Sequence, residues 1–300
     1  MKKRNIILFS ILAVALLFIT ACETEKKTST SSVFIGGTKG VSISFEDFGV
    51  TENNIYTIYD TEEFPIEVML KNKGEYDIKV GDAEVSLLGP SQTEFSGISS
   101  WNLKNLAKID MTSTLLTTGG EETISFGKKV KYLGSVTGSQ QRTWFANIDY
   151  NYETYLIVPE VCLKEDFTDK RVCTVSEKKT FHVSGAPVTV KSVEESTAGK
   201  GIMALKIKLN NAGSGKVTKQ GLDFGTREEL TYTIDDANWE CKSGGRVGEA
   251  RLISDDAEIL CKLKTALAKD TLSTKQVKLT LKYKYRDLIQ EKLVIKESVS

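Results

Sequence analysis

The side chains of this 300-residue chain in which chemistry would first be sought are Cys162, Cys173, Cys241 and Cys261, the single His182, and three acidic pairs. The cysteine spacings, CX10C and CX19C without a nearby histidine, match no common zinc site. An even number of cysteines in an exported chain reads as a disulfide framework, and four permit three connectivities. Pairing of Cys162 with Cys173 and of Cys241 with Cys261 is preferred, since each pair is close in sequence and lies within one expected domain; metal binding and buried free thiols are the alternatives. His182 lies in KKTFHVSG, where alternation sets it beside Thr180 as a solvated strand-end residue, and no Ser-His-Asp or Cys-His site assembles around it. The pairs Asp166/Asp169, Asp235/Asp236 and Asp255/Asp256 lack EF-hand order, which leaves a loop calcium site or a paired-carboxylate glycosidase open. Ser125-x-x-Lys128 and Ser176-x-x-Lys179 have no companion motifs, and AGSGKV (212 to 217) lacks the first glycine of a phosphate loop and reads as a hairpin turn. No catalytic residue, metal site or cofactor is assigned.

A fifth cysteine has a different setting. Lys2, Lys3 and Arg4 precede an apolar run from Ile6 to Phe18, shorter than the roughly 20 residues that span a bilayer, so a secretory signal is expected. Ile19-Thr20-Ala21-Cys22 then resembles the lipobox of lipoprotein precursors. The resemblance implies a signal peptide over residues 1–21, a diacylglyceryl group on Cys22, and a membrane-anchored extracytoplasmic protein. Glu23 to Ser32 carries no apolar side chain, so residues 22–32 are expected to form a lipidated Cys and flexible tether spanning about 18 Å.

Charge excludes one class of partner. The precursor balances 40 basic against 40 acidic residues, and removing the signal leaves 37 against 40, evenly mixed. No basic face announces nucleic acid.

The rest of the chain contains a divergent repeat. FPIEVMLKNKG (64 to 74) alternates Phe64, Ile66, Val68 and Leu70 on one face before Asn72-Lys73-Gly74; MALKIKLNNAG (203 to 213) does the same with Met203, Leu205, Ile207 and Leu209. WFANIDYNY (144 to 152) and VKLTLKYKY (277 to 285) form a second match in the same order, and GGEETISF (119 to 126) and DDAEILCKL (255 to 263) a third. A period of two is the signature of a half-buried strand, and Asn/Gly suits the positive-φ positions of a closing turn. Short helical turns are expected only at Trp101 to Asp110 and Gly248 to Asp255. Elsewhere short strands divided by Gly, Asn, Asp and Ser argue for an all-β chain of two tandem antiparallel sandwiches, residues 33–183 and 184–300.

The aliphatic strand followed by N-x-G, the GGE segment and the late Y-x-Y strand resemble the immunoglobulin-like modules, including the CARDB-like type, repeated in archaeal and bacterial cell-surface proteins. FIGGTKG (34 to 40), NKGEYDI (72 to 78) and GAPV (185 to 188) are similar to phrases of archaeal envelope lipoproteins. That resemblance implies a fold and a location and no reaction. Cys261, facing inward with Ile259 and Leu263, is expected to reach Cys241 beside Trp239 as an inter-sheet staple, while Cys162 and Cys173 would link two strands across a polar loop. The expected function is a binding or adhesion module for an envelope protein or surface glycan, with a self-associating structural subunit as the alternative and a carboxylate enzyme third.

Overall fold

The computed structural model describes residues 33–169, 171–175 and 177–298. Cys22, the expected lipidation position, lies outside them. The first half carries β1 (Val41–Phe45), β2 (Val50–Glu52), β3 (Ile55–Tyr59), β4 (Glu63–Asn72), β5 (Ala83–Leu88), β6 (Phe95–Ser96), β7 (Asn102–Lys104), β8 (Glu121–Tyr132) and β9 (Ser139–Lys164). The second carries β10 (His182–Val183), β11 (Val188–Gly199), β12 (Ile202–Asn211), β13 (Lys216–Thr218), β14 (Glu228–Ile234) and β15 (Trp239–Ser243). It ends with β16 (Arg246–Val247), β17 (Glu249–Leu252), β18 (Asp256–Leu263) and β19 (Leu272–Lys296). A single 3-10 turn at Gln92–Glu94 is the only helix among the described residues, and it is capped by Ser91.

The result is an all-β sandwich, and its sheets follow the repeat. A ten-stranded sheet runs β17-β14-β19-β9-β5-β7 along its main path; β1-β4-β8-β6 faces one half and β11-β12-β18-β15-β16 faces the other. Read from the middle outwards, the large sheet is palindromic, with β9 matching β19, β5 matching β14 and β7 matching β17. The two outer sheets match strand for strand from β1/β11 to β8/β18. Strands from both sides of the expected 183/184 boundary therefore share one sheet, and Val33–Ser300 pack as one unit. All pairings are antiparallel except β3 beside the end of β19.

Alternation explains which face each strand buries. In β4 the side chains of Phe64, Ile66, Val68 and Leu70 are inside, and in β12 those of Met203, Leu205, Ile207 and Leu209. Each such side chain contributes about 1.5–3 kcal/mol on leaving water. Polar neighbours on the outer faces form cross-strand pairs such as Lys71–Glu121, Lys191–Asp256 and Lys206–Glu258, a wet face that stabilises little.

The structure corrects several local expectations. The segments read as helical turns hold β7 and β17, which pair with β5 and β14 at the two ends of the large sheet, so tertiary pairing overrides the local spacing. AGSGKV is no hairpin: β12 lies in an outer sheet and β13 pairs with β19 in the large one, so the turn crosses the sandwich. Cys241 and Cys261 are bonded directly opposite each other on β15 and β18, within one sheet rather than between two. Cys162 is bonded to Cys173, which lies in a loop and not on a second strand.

Asn72-Lys73-Gly74 and Asn211-Ala212-Gly213 also owe their residues to something other than positive φ, for none of the six adopts it. Asn72 Nδ2 donates to the carbonyl of Tyr76 at 2.7 Å and Asn211 Nδ2 to that of Gly215 at 2.8 Å, so each asparagine closes the turn four residues ahead. Glycine is required by space. A Cβ on Gly74 would lie 1.9 Å from the Tyr152 hydroxyl, and one on Gly213 would lie 2.1 Å from that of Tyr285. Gly74→Ala and Gly213→Ala are therefore each expected to cost roughly 2–4 kcal/mol in urea unfolding, whereas Gly225→Ala, where nothing stands within 4 Å, stays within about 0.5 kcal/mol of the parent.

Candidate binding cleft

Four tyrosines ring the centre of the molecule. Alternation along β9 places Tyr150 and Tyr152 on the buried face, and along β19 Tyr283 and Tyr285, all at most 2% exposed. The register sets Tyr150 opposite Tyr285 and Tyr152 opposite Tyr283. Ring centroids across the ladder are 5.6 and 6.1 Å apart, and along the strands 5.8 and 6.4 Å, all tilted or edge-on. Such pairs add about 0.5–1.5 kcal/mol each beyond burial. Two cross-strand ion pairs flank the ring: Arg286 holds Asp149 with two 2.6 Å bonds, and Lys282 meets Glu153 at 3.0 Å.

The hydroxyls pin the starts of the outer strands. Tyr150 accepts from Val41 N–H (3.3 Å) where β1 begins, and Tyr283 accepts from Val188 N–H (3.4 Å) where β11 begins. Tyr152 donates to the Gly185 carbonyl (3.0 Å), while Tyr285 donates to Asn211 Oδ1 (3.3 Å) and accepts from Gly215 N–H (2.8 Å). The Val41 and Val188 contacts match across the repeat, whereas Tyr152 and Tyr285 hold different partners.

At one corner the halves differ. The Tyr283 hydroxyl meets Thr154 Oγ1 at 3.0 Å and Thr154 donates to the Val188 carbonyl at 2.7 Å, which closes that corner. The matching position in β19 is Asp287, which cannot donate. Its carboxylate instead accepts from Ser214 Oγ (3.3 Å) and Leu288 N–H (2.9 Å). The Tyr150 hydroxyl proton is left with no acceptor among the described residues, and a cleft of about 320 Å³ opens there. Thr38, Lys39, Ser42, Tyr150, Ser214 and Asp287 contribute to its walls.

Burial is the largest cause that holds the Tyr150 phenol well above its ordinary value, so it acts as a donor and not as a base. Beside it stand an exposed lysine, a carboxylate and small hydroxyls. That set suits a ligand rich in both donors and acceptors, such as sugar hydroxyls or peptide amides.

The other residues singled out in the sequence have local partners. His182 on β10 lies opposite Ile157, half-buried. Asp235 accepts from Lys278 N–H (2.9 Å) and Asp236 from Lys275 (2.8 Å); Asp169 pairs with Arg171 (2.7 Å) and Asp256 with Lys191 (2.6 Å). Asp255 sits at φ 68° in a turn. Arg171 holds the Asp169 carboxyl down to about 2. Among the described residues no three His, Cys, Asp or Glu side chains are placed to share a metal ion. Thr154, Asp287 and Glu75 were not singled out from the sequence. The one available signal was the Thr-for-Asp difference between two otherwise matched strands.

Removing either corner hydroxyl tests this geometry. Tyr150→Phe strands only the Val41 N–H and should cost about 1 kcal/mol, whereas Tyr283→Phe strands the Val188 N–H and frees Thr154 and should cost roughly 2–3 kcal/mol. The buried phenols also set a pH dependence. They titrate above their unfolded value near 10, so the unfolded chain loses protons first; stability is full below about pH 10 and falls as pH rises beyond it. Urea midpoints against pH would show this, and the fall should be shallower in the Phe variants.

No family model matches the chain, and no curated protein matches it. Among solved structures, the secreted serine protease VesC from Vibrio cholerae aligns over 81% of this chain and 49% of its own, at 9% identity and a TM-score of 0.22. The chain spans about half the length of that protein, and a likeness at that score carries no argument about fold or activity.

Proposed function

We propose that this chain is a lipid-anchored, extracytoplasmic binding module that holds a protein or glycan component of the cell envelope in the cleft beside Tyr150. The observation that carries the proposal is the Tyr150 hydroxyl, buried, fixed by Val41 and lining an open cleft together with Asp287, its proton without an acceptor among the described residues. Buried donors normally find acceptors, and a partner would supply this one. The anchor is argued from the lipobox-like Ile19-Thr20-Ala21-Cys22, and two disulfides fit an oxidising compartment. Catalysis is not part of this function.

Self-association through sheet edges is the alternative, and one edge is already occupied in part. Lys179 N–H donates to the Val193 carbonyl and Glu195 N–H to that of Glu177, so residues 177–179 cover a stretch of β11. The test is cross-linking on intact cells with a photoreactive residue at Ser214 and a control at Lys242 on the outer face of the second repeat. Adducts to one distinct partner at Ser214 alone are expected. Adducts mainly between copies of this chain would favour the structural subunit, and equal labelling at both positions would remove the cleft.

A further inference from the structure

The loop before β8 and the point where the chain enters the described structure are pinned to the same turn. Glu75, 8% exposed, accepts from Ile35 N–H (2.8 Å), Gly36 N–H (2.8 Å) and Gly185 N–H (2.6 Å), which fixes the entering segment against residues 72–75. Thr112 donates to the Gly74 carbonyl through both N–H (2.8 Å) and Oγ1 (3.0 Å), which fixes the loop against the same residues. Thr38, Lys39, Lys73, Thr112, Thr117 and Thr118 line one groove between them.

From this base the loop projects apolar side chains into water. Leu115 is 98% exposed, with Leu116 at 39% and Met111 at 40% beside it. The tip is held in shape: Ser113 N–H donates to the Leu116 carbonyl (3.0 Å), Leu116 N–H to Ser113 Oγ (3.0 Å), and Gly119 N–H to the Leu116 carbonyl (3.2 Å). Two adjacent leucines on a fixed tip at this exposure are a poor solution in water and a good one at an apolar boundary. Lys39 and Lys73 are exposed nearby; of the acids beside the loop, Asp77 and Asp110 share Lys108 at 2.8 and 2.7 Å, and Glu121 pairs with Lys71 at 2.9 Å.

We propose that this tip docks on the lipid surface that carries the anchor, with Leu115 and Leu116 entering the interface and Lys39 and Lys73 facing anionic headgroups. The inference rests on the lipid-anchor reading, because only the ten residues Glu23 to Ser32 separate Cys22 from Val33. Two leucines bind a bilayer weakly alone. A tether that short keeps them at an effective concentration on the order of millimolar, where weak contacts count. The cleft shares Thr38 and Lys39 with this groove, so docking would hold its ligand close to the same membrane.

The test uses the full mature protein reconstituted in vesicles of phosphatidylcholine and phosphatidylglycerol. Leu115→Trp places a reporter at the tip, Leu116→Trp repeats the reading, and Val247→Trp, 63% exposed in the second repeat, serves as the control. After subtraction of the parent emission, the tip reporters should be quenched by brominated lipid and should lose quenching by aqueous iodide, with the control behaving oppositely. Tip reporters open to iodide on protein whose intact mass proves lipidation would overturn the docking alone. An unmodified Cys22 in that mass would overturn the anchor and the docking together.

Discussion

Everything in this molecule depends on the antiparallel ladder between β9 and β19, which runs from Ser139 opposite Lys296 to Lys164 opposite Leu272 with one irregularity near Gln276. Without it each repeat would be a sandwich with an open inner edge, and two strands carrying buried tyrosines would face water. With it the edges vanish into one sheet, and the four rings pack against each other instead. The hydroxyls then carry the arrangement outward, since each one fixes a strand start or a turn of an outer sheet. The palindromic order of the large sheet is the visible result.

The faces of the strands were legible in the sequence, and their partners were not. Strict alternation in residues 64–70, 144–152 and 203–209 identified the buried side chains, because one face of each strand must leave water. The same alternation says nothing about which sheet a strand joins. Hence AGSGKV reads as a hairpin turn although the chain crosses there to the other layer, and Cys261 reads as inward-facing with a partner across the sandwich although that partner lies beside it in the same sheet. Glycine at 74 and 213 suggests a torsional requirement in the sequence and is in fact required by the space a tyrosine hydroxyl takes.

The candidate site was harder to read for a related cause. Glu75 sits in a polar turn, NKGEYDI, that looks solvated, and the amides it binds lie 39 to 110 residues away. Asp287 looks like an ordinary surface acid until β19 is laid against β9 and Thr154 is seen to be its counterpart. A cleft where a buried hydroxyl lacks the acceptor that its counterpart has carries no motif, since what defines it is the contrast between two copies. Divergent repeats offer that contrast, and here it separates the closed corner from the open one.

The ladder also has a consequence in time. β9 ends at Lys164 and β19 begins only at Leu272, so the strand that completes the inner sheet of the first repeat is made after all the other strands of the second. Until it arrives, β9 has no partner on that side, and β3 in the first repeat lacks its parallel neighbour at Leu293–Lys296. Neither half can close as the chain emerges, and the pairing that joins them spans well over a hundred residues, which makes its search slow. A chain of this topology folds as a whole once β19 has been made, and the long tyrosine-bearing strand β9 must be kept from other edges until then.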